Sequence, residues 1–285
     1  MEIIIGKTAG FCFGVSNAVN NAKQALIKQQ DISCLGELVH NKDVTEELQK
    51  EGLEFINNIE NAKKNVIIRA HGEPKETYEK ARELKLKVID LTCPKVIKIH
   101  NIAEEFKNSG YYIFLVGQKN HPETIGTISY CGDKSYIIEN ENDIADAINE
   151  FNNSKLESLL IISQTTFSIE NFNNICKSIK ENIKDNVNLE IKNTICNATK
   201  LRQEETEKIA KTVDAMIVVG AKHSSNTNKL YLIAKMHCKN CFLLENEKEL
   251  DIEYIKKYKK IGIMAGASTP KKSIETIVEK LKKVW

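Results

Sequence analysis

Three cysteines occupy matching local settings. Cys12 in "AGFCFGV", Cys93 in "DLTCPKV" and Cys196 in "NTICNAT" each follow an apolar run and precede an amphipathic stretch. A thiol at a strand end that opens a helix sits near unpaired backbone N–H groups and the positive end of the helix dipole, which favours the thiolate and makes it a better ligand. The residues lie 81 and 103 positions apart. That spacing is roughly one small α/β unit between each, so three lobes could each bring one sulfur to a common centre. Three soft ligands suit zinc or an iron–sulfur cluster, and the absence of a ribbon-like pair of C-x-x-C knuckles argues against structural zinc. A cubane cluster held by three cysteines leaves one iron without a protein ligand, able to act as a Lewis acid as well as an electron donor. Taken one at a time, each cysteine could equally be a small buried packing residue.

A second group of residues could bind and protonate an anion. His40 in "LVHNKDV", His71 in "RAHGEP" and His121 in "KNHPET" follow apolar runs, as do the hydroxyl-rich "SQTTFS", "SSNTNKL" and "GASTP". Ser224, Ser225 and Asn226 at a helix start offer hydroxyls and backbone N–H groups to a phosphate, although helix capping alone would explain any one of them. Glu123, after His121-Pro122, is the best-placed acid. In a dry pocket its pKa would rise and it could deliver a proton; a helix-capping carboxylate is the plainer alternative. The tempting "HCKNC", with His237, Cys238 and Cys241, bridges a helix end and the run "CFLL" and has no second pair at zinc-ribbon spacing. It is read as packing, like Cys34, Cys131 and Cys176.

The elements that must position these groups alternate. Short runs such as "EIIIG", "NVIIRA", "LKVID", "YYIFLVG", "LESLLIIS", "NLEIKNTI", "DAMIVVG", "CFLL" and "KIGIMAG" are separated by segments of helical period. That rhythm predicts α/β architecture with mostly parallel sheets buried on both faces, whose ligands collect at the carboxyl ends of the strands. The chain has 285 residues, 41% of them hydrophobic, enough for one large domain or two to three small ones. Its 41 Lys+Arg against 39 Asp+Glu give a net charge of only +2, which offers nucleic acid no basic patch. No stretch approaches the roughly 18 consecutive apolar residues of a membrane span, and the N-terminus lacks the features of a signal peptide, so a cytoplasmic protein that binds neither membrane nor nucleic acid is expected.

The motifs together resemble the 4-hydroxy-3-methylbut-2-enyl diphosphate reductase (LytB) family. The resemblance runs the whole chain in order: "AGFCFGV", "HN" with Val44, "AHGEP", "TCP", "HPE" followed by "GT", "QTT", "ICNAT" with "RQ", "SSNT" and "AGASTP". It implies three similar small α/β lobes around a central 4Fe-4S cluster ligated by Cys12, Cys93 and Cys196. The lobes are expected at residues 14–96, 97–193, and 1–13 with 194–285. Substrate diphosphate would be held by His40, His71, His121, Thr165, Ser224, Ser225, Asn226 and Ser268. Glu123, Thr165 and His121 would be the catalytic residues, with Glu123 the proton source and Thr165 a relay. Gln164 and Thr199 match further pocket positions, while Glu73, Lys95, Thr124 and Ala221 depart from the family's usual residues. The implied reaction is reductive removal of the allylic hydroxyl, giving isopentenyl and dimethylallyl diphosphate. Electrons would come from a ferredoxin or flavodoxin, and a monomer is expected. The competing reading is a non-catalytic iron–sulfur or zinc sensor, which leaves Glu123, "QTT" and "SSNT" without a role.

Overall fold

The computed structural model describes residues 2–283. Three four-stranded sheets, parallel at every pairing, account for the strands among them. Contacts divide the chain into two compact units. Unit 1 is residues 1–17, 39–50 and 197–285; unit 2 is residues 18–38 and 51–196.

Unit 1 holds the sheet with order β1-β12-β10-β11, from β1 (Glu2–Ile5), β10 (Ala215–Val219), β11 (Cys241–Leu244) and β12 (Lys260–Ala265). Unit 2 holds two sheets. One has the order β3-β2-β4-β5, from β2 (Ile32–Leu35), β3 (Glu54–Ile56), β4 (Asn65–Ile68) and β5 (Lys87–Asp90). The other has the order β7-β6-β8-β9, from β6 (Tyr112–Val116), β7 (Ser135–Ile138), β8 (Ser158–Ser163) and β9 (Asn188–Ile191). All three repeat one plan: the first strand pairs with the second on one side and the third on the other, and a fourth strand forms the edge beside the third. In the unit 1 sheet that edge is β1, supplied from the other end of the chain.

Between the strands run α1 (Phe13–Lys28), α2 (Lys42–Lys50), α3 (Lys75–Glu83), α4 (Pro94–Asn108), α5 (Pro122–Cys131), α6 (Ile144–Asn153), α7 (Ile169–Asn182), α8 (Asn197–Ala210), α9 (Ser225–His237), α10 (Ile252–Ile255) and α11 (Lys271–Lys282). The central strands read as unbroken apolar runs because helices cover both faces: "YIFLV" of β6 and "AMIVV" of β10 are buried at every position. One face of the β6 sheet packs Phe114 and Phe151 edge to face, with centroids 6.3 Å apart, in a cluster completed by Ile161, Phe172 and Ile179. The other face buries Ile113, Leu115 and Ile162 against Ile99 and Ala103 of α4.

Nine strands coincide with apolar runs visible in the sequence; β2, β3 and β7 do not. β2 is "ISCL", buried throughout, with Ser33 and Cys34 diluting the β-branched signal. β3 has three residues and β7 only four. Such short strands are held by pairing with a buried neighbour rather than by their own pattern.

Candidate active site

The recurring sheet plan explains how each of the three cysteines is placed. Each follows the edge strand of its sheet and immediately precedes a helix: Cys12 before α1, Cys93 before α4 and Cys196 before α8. Each donates its backbone N–H to the loop that follows the neighbouring third strand. Cys12 N–H bonds the Ala267 carbonyl at 3.1 Å, Cys93 that of Ala70 at 3.0 Å, and Cys196 that of Thr165 at 3.0 Å. One extra rung of parallel ladder thus ties each thiol to a loop carrying a residue singled out in the sequence: Ser268 beyond Ala267, His71 beyond Ala70, and Thr165 itself. At Cys12 the sulfur also accepts the Val15 N–H at 3.5 Å, as a capping group does at a helix start.

Burial separates these cysteines from most of the others. All three are half-buried, as is Cys241, whereas Cys34, Cys131, Cys176 and Cys238 are buried. Burial pushes the thiols of Cys34 and Cys131 up to about 12 and that of Cys176 to about 11, so they stay protonated packing groups. In "HCKNC", burial likewise raises Cys241 to about 12, and both thiols point to backbone carbonyls: Cys238 to Asn240 at 3.5 Å, Cys241 to Tyr231 at 3.8 Å. Cys12, Cys93 and Cys196 are each partly accessible, outside any disulfide and at the start of a helix, the setting in which a thiol serves as a soft ligand.

Unit 2 contributes the acid. Glu123 stands in the first turn of α5 with 2% of its surface exposed. Thr165 donates to both of its carboxyl oxygens, from its N–H at 2.5 Å and its hydroxyl at 2.6 Å. The Glu123 N–H donates in turn to Nδ1 of His121, the N-cap of α5, at 3.1 Å. An imidazole that accepts at Nδ1 carries its proton on Nε2 when neutral, so the His121 donor is directed away from the helix. The ring of His71 meets that of His121 edge to face, with centroids 5.5 Å apart. Gln164 braces this corner, accepting from the Gln118 N–H at 3.0 Å and donating to the Thr166 hydroxyl at 2.8 Å.

The His71 loop has its own supports. Gly72 turns with φ +75°, and a Cβ there would lie 3.0 Å from Cε1 of His100 and 3.2 Å from Thr92. His100, which sequence reasoning passed over, is buried and stacks on Tyr130 of α5 with centroids 4.0 Å apart. Burial lowers its pKa to about 4, so it is a neutral plate behind the turn. The unusual Glu73 accepts from Nε of Arg69 at 2.7 Å across the same turn. Burial pushes its carboxyl up while the Arg69 charge opposes the rise.

Unit 1 holds a second set of hydrogen-bonding groups. Ser224 caps α9 by accepting the Thr227 N–H at 3.4 Å, and Ser225 and Asn226 follow in the first turn, all three buried. Gly220 permits the close turn before them: its φ is +144°, and a Cβ would fall 2.7 Å from the Thr269 hydroxyl. Ser268 donates to the His40 carbonyl at 2.9 Å, and the His40 ring meets that of His223 with centroids 5.3 Å apart. The side-chain nitrogen of Asn226 is buried with no hydrogen-bond partner among the described residues. A buried unpaired donor at a helix N-terminus suits an anionic ligand. Lys229, one turn along α9, donates to the Ser225 hydroxyl at 3.1 Å. Thr199 is buried in the first turn of α8.

His223 and Lys229 also escaped the sequence reading. His223 follows Gly220 much as His40 follows Gly36 and His121 follows Gly117, a G-x-x-H or G-x-x-x-H signal visible once the repeat is known. Lys229 is visible only as the residue four positions after Ser225.

Fold and site define a class: an α/β protein of three like lobes, with a strand-end thiol for each sheet, a buried hydrogen-bonded acid and a buried polar helix start. The chain belongs to the LytB protein family, whose sequence model matches residues 3–282. It is 42% identical to a 4-hydroxy-3-methylbut-2-enyl diphosphate reductase of Caldanaerobacter subterraneus subsp. tengcongensis, over 99% of this chain and 97% of that one. It is 41% identical to the enzyme of the same name from Clostridioides difficile, over 98% of each. Among solved structures it is similar to an (E)-4-hydroxy-3-methyl-but-2-enyl diphosphate reductase described as the terminal enzyme of the non-mevalonate pathway. That match has TM-score 0.72 and 40% identity and covers 99% of this chain and 100% of the other. The E-1-hydroxy-2-methyl-but-2-enyl-4-diphosphate reductase of Plasmodium falciparum matches with TM-score 0.90 and 32% identity, over 99% and 88% of the two chains.

Proposed function

We infer that this chain is an iron–sulfur oxidoreductase that reductively removes the hydroxyl of 4-hydroxy-3-methylbut-2-enyl diphosphate, giving isopentenyl and dimethylallyl diphosphate. The observation that carries the reading is the double engagement of Thr165. It donates to both oxygens of the buried Glu123 carboxyl, and its own carbonyl accepts the N–H of Cys196. A proton carrier and a thiol ligand are thereby locked to one residue, an arrangement that a non-catalytic sensor would not need.

Cys12, Cys93 and Cys196 would hold a 4Fe-4S cluster, which when bound supplies electrons and a Lewis-acidic iron for a poor leaving group. The protein's own groups do the rest. The Nε2–H of His121, with His71 and His40, the hydroxyls of Ser224, Ser225 and Ser268 and the amide of Asn226, bind the diphosphate and orient the allylic carbon chain. Imidazoles, hydroxyls, an amide and the α9 N-terminus satisfy that anion without a wall of lysine and arginine. Glu123 delivers a proton to the departing hydroxyl, and Thr165, bonded to Glu123 Oε2, relays it. Hydroxide leaves as water, and two electrons with a second proton, added at one or the other end of the allyl unit, complete the dimethylallyl or isopentenyl product.

The same reading divides the chain into lobes at residues 14–96, 97–193, and 1–13 with 194–285, a division supported by one four-stranded sheet for each; residues 1, 284 and 285 lie outside the described ones. Among the described residues no helix is long and apolar enough to cross a membrane. A cytoplasmic monomer reduced by a ferredoxin or flavodoxin fits these features, with no nucleic acid or membrane involved. Glu123→Gln tests the assignment. It should bind substrate with a Kd near that of the parent and lower kcat by about 10²–10⁴-fold, the usual worth of a general acid. Unchanged single-turnover rates would remove Glu123 from the mechanism.

A further inference from the structure

The loop that carries Cys12 is strung along α8, the helix that starts one residue after Cys196. Glu205 accepts three bonds from it: Oε1 from the Lys7 N–H at 2.8 Å, and Oε2 from the Thr8 N–H at 2.8 Å and the Thr8 hydroxyl at 2.6 Å. One turn earlier on the same helix, Arg202 donates from Nη2 to the Gly10 carbonyl at 2.7 Å and from Nη1 to the Ala198 carbonyl at 3.0 Å. Arg202 is only 4% exposed. The two side chains are three residues apart and so share a helix face.

The backbone between these anchors could not hold its course alone. At Gly6 a Cβ would stand 2.0 Å from the Met264 sulfur, so the chain passes flush against β12; Gly10 has φ +98°. Only after this path does the Cys12 N–H reach Ala267. A carboxylate that takes two successive N–H groups and a guanidinium that takes a carbonyl are complementary grips on one short loop, and charge-assisted bonds of this kind are the stronger ones. Although burial alone would push the Glu205 carboxyl up, the bonds from Thr8 and Lys7 hold it below the usual carboxylate value. The carboxylate is therefore ionised throughout the neutral range.

We propose that Arg202 and Glu205 are positioning residues for Cys12, holding its loop in the ligating conformation before a cluster arrives and slowing cluster loss afterwards. The inference rests on the reading of Cys12 as a cluster ligand. Metal-supporting residues outside the ligand set are worth about 10–100-fold in affinity elsewhere.

The test uses the full-length reconstituted protein under argon. Glu205→Gln, Arg202→Met and Arg202→Lys are compared with Glu207→Gln, a substitution on the same helix whose carboxylate faces Lys211 instead. Amide exchange at residues 7–12 should accelerate in Glu205→Gln and Arg202→Met. The rate at which an iron chelator bleaches the visible band should rise about tenfold, with Arg202→Lys in between and Glu207→Gln matching the parent. Should an α8 variant fail to fold, Thr8→Val removes one bond from the loop side alone and should still raise both rates. Bleaching within about twofold of the parent in every folded variant, or an equal rise in Glu207→Gln, would overturn the proposal. A parent that takes up no iron would instead overturn the ligand reading beneath it.

Discussion

In unit 2 the acid of the candidate site is spoken for. Both oxygens of Glu123 accept from Thr165, its N–H goes to His121, and Gln164 ties two neighbouring loops together. In unit 1 one donor of the candidate site stands open: the side-chain nitrogen of Asn226 is buried with no hydrogen-bond partner among the described residues, in the first turn of a helix whose N-terminus favours an anion. The contrast separates two jobs. A group that moves a proton must be held in one geometry before substrate arrives, so its bonds are made within the protein. Groups that bind a charged ligand are useful only if the ligand completes them, and a donor left unsatisfied in the free protein is destabilising until it does. Both units also hold ladder-tied cysteines, Cys12 in unit 1 and Cys93 and Cys196 in unit 2, which is the feature they share.

The largest effect should come from that shared feature. Cys196→Ser should abolish stable iron binding and bring activity to background. The matched substitution Cys176→Ser should keep iron and activity while costing about 1–3 kcal/mol of stability for the buried hydroxyl, measured by denaturant unfolding. Equal iron retention in the two variants would erase the distinction between half-buried and buried thiols. Next, Asn226→Ala should raise KM about tenfold while kcat changes far less, because a charge-assisted bond to the diphosphate is lost. Without substrate its Tm should equal or exceed the parent's, since no internal bond is broken. A drop in kcat matching the rise in KM would move Asn226 from binding to chemistry.

The smallest effect concerns stability against pH. Burial, offset in part by Asp90, lowers His100 from its ordinary 6.5 to about 4. A histidine kept neutral by folding contributes stability above pH 6.5, and that stability is lost as pH falls through 6.5 toward 4. Between pH 7 and 5 the loss should be about 2 kcal/mol, read from urea unfolding at each pH. His100→Phe keeps a ring against Tyr130 and should flatten that part of the profile; an unchanged slope would assign it to other groups.

Much of this architecture is legible in the sequence, and most of the exceptions have physical reasons. The three cysteines, "HPE", "QTT" and "SSNT" stand out because parallel sheets collect function at strand ends, and strand ends can be found from apolar runs. β2 is hidden because Ser33 and Cys34 dilute its apolar run, and β3 because three residues cannot display a period; β7, as long as the legible β1, has no such reason. His100 was hidden because it lies mid-helix, and its meaning comes from Gly72 and Tyr130, residues on other elements. Glu205 reads as one more charge in "RQEETEK", and only a fold that returns β1 to the edge of the last sheet brings Lys7 and Thr8 to it from nearly 200 positions away.

The central claim is that residues 12, 93 and 196 are ligands of one iron–sulfur centre. The most direct measurement is the iron, acid-labile sulfide and zinc content of anaerobically purified protein, parent beside the three single cysteine-to-serine variants. The account predicts about four irons and four sulfides per chain in the parent, no zinc, and loss of both iron and sulfide in each variant. Stoichiometric zinc in the parent, or full iron and sulfide retained in any one of the variants, would contradict it.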